Sequence, residues 1–551
     1  MRRVTITAAL IISSLLAGAC GTAHTLGTAP SPRGVLTIAN AGNSPWTCGF
    51  NPFDGSATSL SLGPVYEPLA FVDALRNGRA TPWLATSWRW GPAARSLTFS
   101  IRKGVTFTDG TPMTPADVVF SFDLIRKYPA LDLYGVWSVL SGVRQARTGQ
   151  VIMTFKRPAV PYFYYIAADV PVVPRHIWSK IAHPAAYADA HPVGTGAFLL
   201  RSCTQKDIIY TANRRYWTPG EPRVAKVIYP ALQANDPANT LLATGLAQWG
   251  SQFIPNMRAF YLSQSPDFHY WFPPTTAVSL LINLTDPLLR NVKIRQAMAY
   301  AINRPQVASY AEYGYELPAN QADIVTPTFS GWLDGPLLAR YGYTYNPAKA
   351  RRLLASAGLR PGRDGVLADR AGHRLSFTVL NVAGYTDWIA AVGVIGRNLK
   401  AVGIAVKAEN VSQDSYYSRL SYGRFQLAYG AQAGGPTPYY ELWQWLYSGS
   451  TAPVGQPAAT NFDRYSNPAT DRLLAAYEAT ASTAAEHLIV ARLEQAVLTD
   501  VPFIPVTEAA DWFEYDAAAF SGWPTGAHPY AQPSVYISPD WGQVLLHLVP
   551  K

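Results

Sequence analysis

Strand-like and helix-like patterns alternate along most of this 551-residue chain, and that alternation constrains the fold more than any single motif does. The segment SLTFSI, from Ser96, alternates polar and apolar residues as a half-buried strand does. The segment NPAKARRLLASAG, from Asn346, places Asn at an N-cap, Pro at the first helical position and Gly after the end. Because the two element types are interspersed, the sequence predicts a mixed α/β or α+β fold class. About 520 residues follow the N-terminal segment, too many for one core, and we expect two to four domains.

The N-terminal segment has the pattern of an export signal. Arg2 and Arg3 precede a short apolar stretch, and LLAGAC then ends at Cys20, as in a bacterial lipobox. We expect residues 1–20 to be a lipoprotein signal peptide with lipidation at Cys20, and residues 21–34 to be a flexible tether. An ordinary cleaved signal peptide is the alternative, since Leu16 lies one position further upstream than in the commonest lipobox. The expected location is extracytoplasmic, lipid-anchored at the outer face of the cell membrane or in the periplasm.

The charge distribution argues against one class of function, and the cysteine content suggests one covalent link. The formal net charge is +10, but the basic residues are scattered without a Lys/Arg run, so nucleic-acid binding is not expected. Apart from Cys20, the chain contains only Cys48 and Cys203. In an oxidising location this pair is a disulfide candidate, and two separate buried thiols are the alternative.

Motifs of catalysis and metal binding are missing from the sequence. It contains no G-x-S-x-G, no G-x-x-x-x-G-K and no C-x-x-C, and no two His residues have the i, i+4 spacing of a helical metal site. We therefore expect no metal, no cofactor and no enzymatic activity. A surface-anchored hydrolase and a structural surface lipoprotein stay open as remote alternatives.

Aromatic residues beside loops are the positive signal for a binding function. The segment PTPYYELWQWLYSG follows a Gly-Gly loop, and Trp46 lies in the loop after the first predicted strand. Aromatic rings near Gly- and Pro-rich loops suit flat ligand surfaces. Burial in a core or against a neighbouring element is the alternative for each of them.

Nine segments, taken together, resemble the extracellular solute-binding proteins of family 5, the peptide/nickel-binding type that serves ABC importers. The most specific is LTFSIRKGVTFTDGTPMTPADVVFSF, which begins at Leu97 and contains an Asp-Gly turn and a capped helix start. The segments keep the order of the family and span nearly the whole chain after the tether: 65–73, 81–90, 97–122, 173–178, 191–200, 212–217, 292–304, 346–358 and 465–474.

The resemblance implies a bilobal, periplasmic-binding-protein-like fold with an extra inserted domain. It places domain I at 35–64, 192–272 and 505–551, domain II, the inserted one, at 65–191, and domain III, the second lobe, at 273–504. It also implies a monomeric substrate-binding component that closes two lobes on a solute and delivers it to an ABC permease. That function needs no covalent chemistry.

The class of solute is the open question. Oligopeptides are the commonest cargo of the family, but peptide binders often hold the ligand's amino group with an Asp in a loop that here reads AYGAQAGGPTPYY, without an acid before Glu441. An oligosaccharide of the cello-oligosaccharide type is therefore the alternative, and the His spacing disfavours nickel. We expect ligand contacts from the first loop and, across the cleft, from the Gly-Gly loop and the aromatic segment: Asn43, Ser44, Trp46, Gln432, Gly434, Tyr439, Tyr440 and Trp443.

Overall fold

The computed structural model describes residues 33–41, 45–55, 57–146, 149–480 and 482–551. The predicted signal peptide with Cys20, most of the predicted tether, and the candidate ligand residues Asn43 and Ser44 lie outside the described residues. The described chain contains both helices and strands, arranged in two bodies with separate apolar cores.

The largest sheet has seven strands drawn from three distant parts of the chain. Val35–Ala39 lies at its centre and runs parallel to both neighbours, whereas the other pairs are antiparallel. The chain from Phe503 onward is Pro-rich and has an extended pattern, which predicts strands that return to an earlier domain. Its strand Glu514–Asp516 does return to this sheet. The spatial order is Phe268–Tyr270, Glu514–Asp516, Trp249–Gly250, Val35–Ala39, Lys226–Pro230, Asp207–Ala212 and Phe198–Cys203.

A four-stranded antiparallel sheet packs beside the first one and shares its core. Its order is Ala85–Trp90, Ser96–Ile101, Gln150–Phe155 and Leu140–Gln145. The helix Pro115–Lys127 covers it, and Thr114 and Asp117 form the predicted capping box at the start of this helix. We call the two sheets and their helices the first lobe.

A five-stranded sheet forms the second body, which we call the second lobe. Ser376–Val382 is parallel to its two neighbours, and Pro274–Ile282 is antiparallel to both of its own. The order is Ala405–Val411, Ser376–Val382, Leu427–Gly430, Pro274–Ile282 and Phe503–Ala510. Three two-stranded ribbons complete the described strands: Ala70–Asp73 with Arg79–Pro82, Arg360–Pro361 with Leu367–Ala368, and Phe520–Ser521 with Val549–Pro550.

The helices follow the start signals that the sequence contains. Asn291, Asn346 and Asn467 accept backbone N–H groups in the first turns of their helices, as N-cap residues do. The described α-helices are Thr58–Ser61, Pro115–Lys127, Arg175–Trp178, Asn235–Ala243, Val292–Ala301, Arg304–Tyr310, Gly335–Tyr341, Pro347–Ser356, Thr386–Lys400, Gln413–Ser421, Pro438–Leu446, Pro468–Ala479, Thr483–Asp500 and Asp540–His547.

The helix Asp540–His547 corrects the prediction of a wholly extended C-terminal part. Trp541, Val544 and Leu545 are buried, and their i, i+3, i+4 spacing gives the helix an apolar face against the first-lobe core. Because a Pro-rich segment comes directly before this helix, its short apolar periodicity is hard to recognise in the sequence.

A buried glutamate explains why several of the family-like segments contain Trp and Tyr. Glu67 accepts hydrogen bonds from Trp83 Nε1 at 2.8 Å, the Tyr216 hydroxyl at 2.6 Å and Trp217 Nε1 at 3.0 Å. Burial raises the pKa of Glu67 to about 7, although these donors act in the opposite direction. The network joins segments that are far apart in sequence, so its role is to hold the first lobe together.

Candidate functional site

The chain crosses between the lobes twice, through adjacent extended segments. One crossing leads from Tyr270 to Pro274, and the other leads from Ala510 to Glu514. Backbone hydrogen bonds pair them, because Trp271 N donates to Phe513 O at 3.0 Å and Asp511 N donates to Pro273 O at 3.0 Å. Two short, paired connections allow the lobes to open and close about one axis.

The lobes contact each other directly on one side of these crossings. The first-lobe residue Asn235 donates from Nδ2 to Thr386 Oγ1 at 3.2 Å and to Asp387 Oδ1 at 3.3 Å, both at the start of a second-lobe helix. Asn235 itself begins the helix Asn235–Ala243. The contact therefore joins two helix starts that face each other across the lobes.

A second contact between the lobes is built from the aromatic segment. Glu478 of the second lobe pairs with Arg157 of the first lobe at 2.5 Å, and its Oε1 also accepts from the Tyr439 hydroxyl at 2.9 Å. The Tyr440 hydroxyl donates to the backbone oxygen of Pro161 in the first lobe at 2.6 Å. Tyr439 also stacks on Tyr477, with the ring centroids 4.1 Å apart. The two tyrosines that we expected to hold ligand are thus buried, and their hydroxyls bind protein groups.

One tyrosine of each lobe keeps a large exposed area. Tyr536 of the first lobe and Tyr417 of the second are 42% and 49% exposed. The pKa of each hydroxyl is nevertheless raised, because surrounding protein excludes bulk water. Electrostatic interaction with Asp511, Tyr385 and Glu316 raises the pKa of Tyr536 further.

A cavity of about 470 Å³ lies next to the crossings and is lined by both lobes. Its lining is mostly apolar and aromatic, with one carboxylate, and includes Leu75, Trp271, Phe272, Tyr315, Glu508 and Pro529. Pockets of this size and character hold small organic ligands in many proteins.

The first loop lies at the edge of the seven-stranded sheet. Trp46 is half-buried, donates from Nε1 to the backbone oxygen of Tyr229 at 3.1 Å and packs edge-on against the Tyr229 ring at 5.1 Å. Two residues further on, Cys48 forms a disulfide with Cys203, with the Cα atoms 5.7 Å apart. The disulfide fixes this loop to the strand Phe198–Cys203.

The Gly-Gly loop of the second lobe lies against the first crossing. A side chain at Gly434 would place its Cβ 2.6 Å from the backbone oxygen of Thr275, so only glycine fits. The Nε2 atom of Gln432 is buried without a hydrogen-bond partner among the described residues. Trp443 is half-buried and stacks on Tyr447 at 4.9 Å, within the second lobe. Of the predicted contacts, Gln432 and Gly434 therefore lie nearest the crossings.

Two further properties bear on function. No helix in the described ranges is long and apolar enough to span a membrane. Within the same ranges, no group of three or more His, Cys, Asp or Glu side chains is arranged to hold a metal ion.

Comparison with known families decides the class of this protein. The family model of the bacterial extracellular solute-binding proteins, family 5 Middle, matches residues 79–453, more than half of the chain. The chain belongs to this family. The predicted resemblance is confirmed, and family 5 proteins are substrate-binding components of ABC importers.

Individual relatives of this family 5 protein share both sequence and fold. The glutathione-binding protein GsiB of Escherichia coli O1:K1 is 25% identical over 435 residues, which cover 77% of this chain and 79% of GsiB. A periplasmic oligopeptide-binding protein of Thermotoga maritima, solved with mannohexaose bound, is 26% identical with a TM-score of 0.87, and the match covers 95% of this chain and 99% of that one.

AppA of Bacillus subtilis, solved in complex with a nonapeptide, is 19% identical with a TM-score of 0.79, and the match covers 95% of this chain and 100% of AppA. At that identity the likeness shows the fold alone. The bilobal, mixed fold class predicted from the sequence is confirmed by these structures.

Sequence reasoning missed several buried carboxyl groups of this family 5 protein. Asp511 accepts from Thr275 Oγ1 at 3.2 Å and from Gln532 Nε2 at 3.1 Å, and burial raises its pKa to about 7. Glu312, Glu316 and Asp387 are also buried. The one available signal is that Glu312 and Glu316 occur in the aromatic segment AEYGYELP, with no basic residue beside them.

Proposed function

We propose that this family 5 protein captures an oligopeptide between its two lobes and delivers it to the transmembrane subunits of an ABC importer. The observation that carries the proposal is the cavity of about 470 Å³ beside the crossings, which is lined by residues of both lobes. Glu508 in the lining of this cavity offers an acceptor for the amino and amide N–H groups that peptides carry.

Capture follows from the contacts between the lobes. The hydrogen bond from Asn235 to Asp387 and the ion pair of Arg157 with Glu478 form only when the lobes lie together. A solute that touches both lobes binds this closed state more tightly than an open one and so shifts the population towards it. The permease would then recognise the closed form. No step requires a covalent intermediate.

The remaining features of the proposal concern location and organisation. Lipidation at Cys20 would hold the protein at the outer face of the membrane, and residues 21–34 would act as the tether. We also propose the domain limits that the family resemblance implies: 35–64, 192–272 and 505–551 for domain I, 65–191 for domain II and 273–504 for domain III. We further propose that the protein acts as a monomer.

Oligosaccharide capture is the second candidate, and specific observations favour it. Trp271, Phe272 and Tyr315 line the cavity beside the crossings, and rings of this kind can stack on sugars. The Thermotoga maritima relative was solved with mannohexaose. In this candidate Glu508 would accept hydrogen bonds from sugar hydroxyls.

Thermal unfolding with two ligand panels separates the candidates. The full chain carrying Cys20→Ser, which cannot be lipidated at that position, is heated with tri- to hexapeptides or with mannohexaose and cellohexaose. A ligand at about 100 times its Kd stabilises the folded state by about 2.7 kcal/mol, which is visible as a shift in Tm. Shifts with peptides only support the proposal, shifts with saccharides only support the second candidate, and no shift with either panel contradicts both.

A further inference from the structure

Most of the positive charge of this chain lies in one segment of the second lobe. Residues 346–407 contain ten of the 45 Lys and Arg residues but three of the 35 Asp and Glu residues, so they carry +7 of the formal net charge of +10. All ten basic residues are exposed. Because they are dispersed within the segment, no Lys/Arg run marks it in the sequence.

A tertiary contact brings two of the basic elements together. The helix Pro347–Ser356 carries Arg351 and Arg352, both exposed. Arg351 Nη1 donates to Ala401 O at 3.2 Å. Ala401 follows Lys400, which is the last residue of another second-lobe helix. Three cations from two helices therefore lie near one another.

The two-stranded ribbon that follows the first of these helices adds a group of arginines. Arg360 pairs with Ala368 across the ribbon, and Ala368 also forms a bridge to Arg374. Since neighbouring strands lie about 4.8 Å apart, the backbones of Arg360 and Arg374 are within about 10 Å of each other. Arg363 and Arg370 occupy the turns of the same group.

The ribbon and the helices form one continuous surface. Leu367 N of the ribbon donates to Gly403 O at 2.8 Å, which fixes the ribbon beside the helix end that contains Lys400. Six exposed cations of this surface make no ion pair with any described carboxylate. We call them the basic surface: Arg351, Arg352, Arg360, Arg363, Arg370 and Lys400.

The three acidic residues of the segment do not cancel this charge. Asp364 forms an ion pair with Arg374, and Asp369 is held by His373 Nδ1 at 2.9 Å. Asp387 is buried at the opposite end of the helix that ends at Lys400. At 1.5 Å per residue it lies about 20 Å from that end, beyond the Debye length of about 10 Å in 0.1 M salt.

The basic surface lacks the apolar centre that a specific protein–protein interface has. No large apolar side chain of residues 346–407 is strongly exposed. Stable protein interfaces usually bury aromatic and aliphatic groups at their centre. Cations spread over a helix, a ribbon and its turns, without such a centre, suit a broad anionic surface. A lipid bilayer with anionic headgroups is a surface of this kind.

We propose that the basic surface binds the anionic lipid headgroups of the membrane to which the protein is anchored. The choice of a bilayer as partner rests on the location given in the proposed function, and the identity of the solute plays no part in it. The tether leads into the first-lobe strand Val35–Ala39, whereas the basic surface belongs to the second lobe. Attachment at both lobes orients the protein on the membrane.

Vesicle binding tests the proposal. The chain from Gly21 onward contains every described residue and lacks the apolar signal segment. It is sedimented with phosphatidylcholine vesicles that contain either no phosphatidylglycerol or about 30% of it, at about 50 and about 200 mM NaCl. We expect binding to the anionic vesicles alone, at least tenfold weaker at the higher salt concentration. The variant with four neutralised cations should bind at least tenfold more weakly than the parent chain: Arg360→Gln, Arg363→Gln, Arg370→Gln and Lys400→Gln.

A first-lobe variant with the same change of net charge is the matched control. Its four positions are exposed and make no ion pair with a described carboxylate. We expect it to change vesicle binding less than twofold, and both variants to keep the Tm of the parent chain. The control substitutions are Lys103→Gln, Lys180→Gln, Arg201→Gln and Lys206→Gln.

Three results overturn the inference. The first is that the parent chain does not bind anionic vesicles, and the second is that the two variants lose binding equally. The third is tighter binding to soluble poly-glutamate than to vesicles of equal charge concentration, because the basic surface would then favour an acidic protein. A chain that binds vesicles through the basic surface but shows no Tm shift with either ligand panel supports this inference and contradicts solute capture.

Discussion

The hydroxyl of Tyr440 in the second lobe lies 2.6 Å from the backbone oxygen of Pro161 in the first lobe and donates a hydrogen bond to it. Its ring packs edge-on against Tyr164 and Tyr165, with centroid distances of 5.1 and 5.2 Å. Tyr440 therefore joins the lobes instead of presenting a free ring face to solute. We infer that the aromatic segment contributes to ligand affinity by stabilising the closed state.

Replacing this tyrosine tests that role. Tyr440→Phe leaves the Pro161 oxygen without its partner and costs the closed state about 0.5–1.5 kcal/mol, which corresponds to roughly a 2- to 12-fold loss of affinity for the captured solute. The measurement is calorimetric titration with the ligand that the thermal screen identifies. Tyr210→Phe is the control, because the Tyr210 hydroxyl donates to Leu60 O at 2.8 Å within the first lobe alone. Equal losses of affinity in the two variants would contradict a role in closure.

Local structure was predictable wherever a few neighbouring residues determine it. The N-caps at Asn291, Asn346 and Asn467 and the strand from Ser96 follow from short-range patterns, and all are present. The environment of Tyr440 depends instead on Pro161, which is 279 positions away in sequence. No periodicity or propensity encodes such a distance.

The candidate site shows the same limit. The family resemblance predicts that the loop around Gly434 contacts solute across the cleft, and the structure shows this loop beside Thr275. The carboxyls at Glu312, Glu316 and Asp387 were missed, because single acidic residues in sequence do not reveal that they are buried or that a cation is lacking nearby. Only tertiary packing buries them.

The disulfide between Cys48 and Cys203 should contribute to both stability and binding. It links residues 155 positions apart and fixes the loop that contains Trp46. Closing so long a loop restricts the unfolded chain, and we expect the double variant Cys48→Ser, Cys203→Ser to lose about 2–5 kcal/mol of unfolding free energy. Chemical denaturation with and without reductant measures this loss. If reduction leaves the denaturation midpoint of the Cys20→Ser chain unchanged, the bridge does not form in solution.

Stability should fall as pH rises from about 4.5 to about 8. Burial raises the pKa of Glu494 and of Glu508 to about 8, so the folded state keeps protons that the unfolded chain has already lost. The stabilisation by these protons is complete below the unfolded pKa and is lost as pH rises through the folded one. We expect Glu494→Gln to reduce the slope of the unfolding free energy against pH by up to about 1.4 kcal/mol per pH unit. Urea denaturation between pH 5 and 8 measures this slope.

A surface glutamate provides the control for that slope. The pKa of Glu409 is lowered by its hydrogen bonds to Arg419, so this group is ionised in both folded and unfolded states above about pH 5. Glu409→Gln should therefore leave the slope between pH 5 and 8 as it is. A slope that Glu494→Gln does not change would mean that Glu494 is ionised in the folded protein.

Gly434 should be intolerant of any side chain. A Cβ there would lie 2.6 Å from Thr275 O, and both residues adjoin the crossing about which the lobes close. Gly434→Ala must push the loop from the strand Pro274–Ile282, at a cost of about 1–3 kcal/mol, and should also weaken solute binding because Gln432 moves with it. Gly331→Ala is the matched control, since a Cβ at Gly331 meets no atom within 4 Å. Urea denaturation and titration of both variants check the two effects, and equal behaviour of the two alanine variants would show that the loop can relax without touching the site.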